Sequence, residues 1–122
     1  MANNGYYFVI PLVIYPFDIM ISINEKDEVL IKRLIEYNNT KEECELLLDF
    51  TGTGRTVILP SNQTVIRLRI SKKLHGIISH EVFHAVSFIM ERIGMKLEIE
   101  LSDEAYAYLI GYVTDKIYEK LK

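Results

Sequence analysis

Residues 73–94 read KLHGIISHEVFHAVSFIMERIG, and the way this stretch folds decides the rest. Ile78, Val82, Ala85, Val86, Ile89 and Ile93 recur at helical spacing, which predicts one helix from about Lys73 to Ile93. Ser71 suits its N-cap and Gly94 its C-terminal stop. Inside the helix stands His80-Glu81-Val82-Phe83-His84. Side chains four apart on a helix share a face, so both imidazoles can address one metal ion. Zinc accepts histidine nitrogen, and a catalytic zinc takes three protein ligands and leaves a position for water. Glu81 is offset by about 100° from His80. A carboxylate placed there stands beside the metal as a proton acceptor instead of a ligand. The competing reading is two histidines that share a spacing by accident.

No histidine follows His84, so the third ligand is sought among Glu91, Glu98, Glu100, Asp103, Glu104 and Asp115. Glu104 opens the last helical run, 103–121, behind Ser102 as N-cap. The first helix climbs about 14 Å beyond His84, and residues 94–103 can span up to about 33 Å. A return to the metal is therefore within reach, with Asp103 as the competitor of Glu104. Acidic residues also favour any helix start, which is the plain alternative for both.

The motif followed by Asp103-Glu104-Ala105 resembles the gluzincin branch of zinc metallopeptidases. In that branch the third ligand is a glutamate on a following helix. The runs 79–86, 91–94 and 102–113 look like the small zinc-peptidase-like proteins of phage genomes. The motif-level match covers about the last third of the chain. The resemblance implies a minimal zincin-like domain with Zn²⁺ held by His80, His84 and Glu104, and Glu81 as catalytic base. It also implies an edge strand just before the motif helix, a place that residues 64–70 would fill. Larger gluzincins often carry an aspartate four residues after the ligand glutamate; here that position is Tyr108. Orientation of the histidines must then come from elsewhere, such as a backbone carbonyl.

At 122 residues the chain fits one domain, 1–122, with room for a single core. Its apolar share of 49% and charged share of 25% match an ordinary globular protein. A net charge of −3 carries no nucleic-acid footprint. Cys44 stands alone and reads as a buried, inert thiol. Residues 6–23 are mostly apolar, but Pro11, Pro16 and Asp18 interrupt them and no Lys or Arg precedes Lys26. Neither a signal peptide nor a membrane span is expected. The expected setting is the host cytoplasm or a virion.

The same residues suit strands. Phe17, Ile19, Ile21 and Ile23 alternate with Asp18, Met20 and Ser22, a half-buried pattern, and 6–13 reads as a more buried strand with Pro11 at an edge or bulge. Asn24 with Asp27 predicts a capped helix to about Tyr37, turned by Asn38-Asn39. Residues 44–50 and 55–59 read as a hairpin around Thr51-Gly52-Thr53-Gly54, and 64–70 as a further strand. In that strand Ile66, Leu68 and Ile70 face one way and Val65, Arg67 and Arg69 the other. As an edge it could add a peptide strand, with Arg67 and Arg69 at the substrate or serving as charged guards.

Residues 95–101 alternate and predict a short extended link. In the last helix Ala105, Leu109, Val113 and Ile117 form the core stripe. Tyr106, Tyr108 and Tyr112 are packing residues or candidates for steadying an oxyanion. Gly111 suits a close helix approach, and His75 reads as a surface residue with a minor claim to a transition-state role.

The expected architecture is α+β: a mixed or antiparallel sheet of about four to six strands, one short helix, then two packed helices. The expected function is zinc-dependent hydrolysis of peptide bonds in a peptide or protein substrate. Two alternatives stand beside it. One is a structural or virion-associated protein, part of a larger assembly, with a retained or vestigial zinc site. The other is a regulatory peptidase of a mobile element acting on one partner protein.

Overall fold

In a computed structural model the described residues are 5–12, 15, 17–48, 52–70 and 75–121. The expected cap Ser71, the helix start at Lys73, the strand end at Val13 and residues 49–51 lie outside them. Four strands, β1 (Tyr6–Pro11), β2 (Asp18–Ile23), β3 (Gly54–Ile58) and β4 (Thr64–Leu68), form one mixed sheet in the order β1-β2-β4-β3. β1 and β2 pair antiparallel, β2 and β4 parallel, and β4 and β3 antiparallel. Helix α1 (Asp27–Glu36) precedes β3, and α2 (His75–Arg92) and α3 (Asp103–Lys120) complete the α+β layout.

Helices cover both faces of the sheet. Ile19, Ile21, Ile23, Ile66 and Leu68 pack against Ile78, Val82, Ala85, Val86 and Ile89 of α2 and Leu109, Val113 and Ile117 of α3. On the other face Met20, Val57 and Val65 meet Leu30 and Leu34 of α1 with Cys44 and Leu47. Two covered faces explain a departure from expectation: β2 is buried at every residue after Asp18, where alternation predicts one wet face. Cys44 is fully buried, as expected, and burial pushes its thiol above the usual range.

The motif helix ends as expected. Gly94 adopts φ +78, its N–H reaches Glu91 O at 3.0 Å, and Met95 N reaches Met90 O at 2.9 Å. That pair of bonds is the Schellman closure, which glycine enters without a Cβ penalty. No helix among the described residues is long and apolar enough to cross a membrane.

Four expectations are corrected. First, residues 64–70 are not the sheet edge: β4 lies between β2 and β3, and β3 is the edge beside α2. Arg67 is therefore no peptide contact. It is fully buried, its Nη1 lies 2.7 Å from Asp27 Oδ1 and also donates to Leu47 O, and its Nη2 donates to Glu25 O at 2.7 Å. Arg69 is exposed, follows the strand, and stands 3.8 Å from the same Asp27 oxygen. Burying a guanidinium is costly unless it is paired and bonded, and Arg67 meets both conditions.

Second, Cys44 does not begin a strand. Glu42–Leu47 is a 3₁₀ turn, started by reciprocal bonds in which Thr40 N donates to Glu43 Oε1 and Glu43 N to Thr40 Oγ1. Third, Asn24 does not cap α1. It ends β2 at φ +58, and its amide brackets Ile70, accepting from Ile70 N at 2.9 Å and donating to Ile70 O at 2.8 Å. Fourth, 95–101 is not extended, because Leu101 N and Ser102 N fold back onto Glu98 O. Leu97, Ile99 and Leu101 are left exposed.

Replacing Arg67 with Ala is expected to cost about 3–5 kcal/mol in urea unfolding, because Asp27 and two buried carbonyls lose their guanidinium. Arg69→Ala, at the exposed neighbour, is expected to change stability by less than about 1 kcal/mol.

Candidate metal centre

α2 lies over β3 and β4 with its apolar stripe inward, which turns positions 80 and 84 toward solvent. His80 is exposed and His84 half-buried. Their Nε2 atoms stand 3.1 Å apart, with ring centroids 4.7 Å apart and the planes nearly perpendicular. Nitrogens bound to one tetrahedral zinc at 2.0–2.1 Å are separated by about 3.3 Å. The 3.1 Å contact is a hydrogen bond between the two rings, and it is also close to the separation that two nitrogens on one zinc would have. Two aromatic rings flank His84: Phe88, stacked at 6.3 Å, and Phe83, tilted at 6.3 Å and 45% exposed.

Glu81, a quarter turn or so around the helix, goes into the structure instead. Only 6% of it is exposed. Thr56 Oγ1, on edge strand β3, donates to Glu81 Oε1 at 2.6 Å and lies 3.1 Å from the Glu81 carbonyl. The first residue of that strand, Gly54, makes room for the carboxylate: a Cβ there would stand 2.9 Å from Glu81 Cγ and 3.0 Å from Oε2. The edge strand therefore fixes the carboxylate of Glu81, the residue that follows His80. Thr56 and Gly54 were not among the expected site residues, since Gly54 read as part of the turn and Thr56 as part of the strand 55–59. A glycine entering a strand is itself a signal of close approach.

The remaining candidates are dispersed. Glu104 heads α3 and is exposed, in a shallow depression lined by Ala107, Tyr108, Gly111, Tyr112 and Asp115. Its face is opposite the buried stripe Leu109, Val113 and Ile117. Asp103 Oδ1 accepts Glu100 N at 2.9 Å, which occupies it at the helix start. Glu91, Glu98, Glu100 and Asp115 are exposed. Among the described residues, no three His, Cys, Asp or Glu side chains group so as to hold a metal ion. The structure brings His80 and His84 together and does not bring Glu104 or Asp103 to them. The pair fits zinc as two ligands; a third within the described part of the chain does not.

The tyrosines divide by hydroxyl partner. Tyr106 donates to Met95 O at 2.7 Å and Tyr112 to Pro11 O at 3.0 Å, so both tie α3 to its surroundings. Tyr108 is 75% exposed beside Glu104. His75 stacks on Tyr118 with centroids 5.1 Å apart, its Nδ1 2.6 Å from the Tyr118 hydroxyl, and burial raises the pKa of that hydroxyl. That contact ties the start of α2 to the end of α3 and gives His75 a structural partner.

Comparison with family models, with curated proteins and with solved structures finds no match.

Gly54→Ala is expected to displace the Glu81 side chain and break its bond to Thr56. Thr56→Val removes the same bond directly. Each should lower stability by about 1–3 kcal/mol, the cost of a buried polar group left without its partner, measured by chemical unfolding.

Proposed function

We propose that the chain is a zinc-binding hydrolase acting on peptide bonds, of the gluzincin kind its motif resembles. One observation carries the reading: two imidazoles one helical turn apart, with Nε2 atoms at 3.1 Å, on the exposed side of a helix whose next residue is a positioned glutamate. His80 and His84 would hold the ion. Zinc, when bound, supplies an acidified water and polarises a carbonyl oxygen.

The chain's own contribution is geometric. The i,i+4 spacing aims the two nitrogens, and β3 sets the place of the carboxylate through Thr56 and Gly54. Glu81 has one oxygen engaged by the threonine hydroxyl, and the carboxylate is the group in this site suited to accept a proton. The low exposure of Glu81 limits water around it and fixes its rotamer.

A second reading is favoured by the dispersed acidic residues: a zinc site kept for stability or assembly, without turnover, as in a protein of a larger particle. The absence of a third ligand among the described residues supports it.

The test separates metal binding from chemistry. Purified protein is expected to retain about one zinc per chain, and His80→Ala/His84→Ala to lose it. Glu81→Gln should keep the metal and lower peptide hydrolysis by at least about 10²-fold. Zinc retention with no turnover by the unaltered protein selects the second reading. An unaltered chain that takes up no zinc ends both.

A further inference from the structure

We draw no further inference here: the strongest candidate, the outer edge of β3 with the groove beside it lined by Glu42, Glu43, Glu45, Leu46 and Ile58, is an unpartnered surface, and nothing in the structure shows what covers it.

Discussion

The buried guanidinium of Arg67 is the constraint on which this fold depends. It stands in the middle of the sheet, on β4, and its partners come from three other places in the chain. Asp27 begins α1, the Glu25 carbonyl belongs to the turn after β2, and the Leu47 carbonyl ends the 3₁₀ turn. A group that bears a permanent charge and has no access to water tolerates only arrangements that supply all of these. Around it Glu25 is also buried, accepting from Ser22 Oγ at 2.7 Å and pairing with Arg33 at 2.6 Å. The second face of the sheet is therefore closed by charge and hydrogen bonding as much as by its small apolar cluster.

That closure sets the conditions for the other face. With β4 held in the interior, β3 becomes the edge and α2 lies along it. The helix needs its apolar stripe inward, and the histidines then point outward of necessity. Glu81 falls between the two directions, and the strand supplies a hydroxyl and a missing side chain where the carboxylate arrives. Solvent-facing and strand-facing residues thus follow from one helix rotation, fixed by Val82, Ala85, Val86 and Ile89.

The motif helix, its glycine stop, the last helix and the mixed sheet were legible because each rests on a periodic pattern or a residue with one conformational use. What stayed hidden depends on pairing over distance. Nothing local says that β4 joins β2, so an arginine in a strand of alternating character read as an exposed edge. A burial-tolerant arginine requires partners that lie about forty and twenty residues away in sequence, beyond the reach of pattern. Some misses were local: Thr40 with Glu43 is a capping pair, and it marks a helical turn where hydrophobicity suggested a strand. The third-ligand expectation for Glu104 rested on the upstream motif and the family it resembles, while the acidic helix start by itself is what the helix dipole favours in any helix.

The parallel pairing of β2 with β4 has a consequence for how the molecule forms. Ile19 meets Thr64 and Ile23 meets Leu68, so the central ladder joins segments far apart along the polypeptide. Contacts of that span require a large loop to close before they return any stabilisation, which slows folding. During synthesis the amino-terminal hairpin must wait, with one side of β2 unsatisfied, until β4 has left the ribosome. The interval exposes an isoleucine-rich strand, and the short length of β2 limits how far such an intermediate can pair with its neighbours.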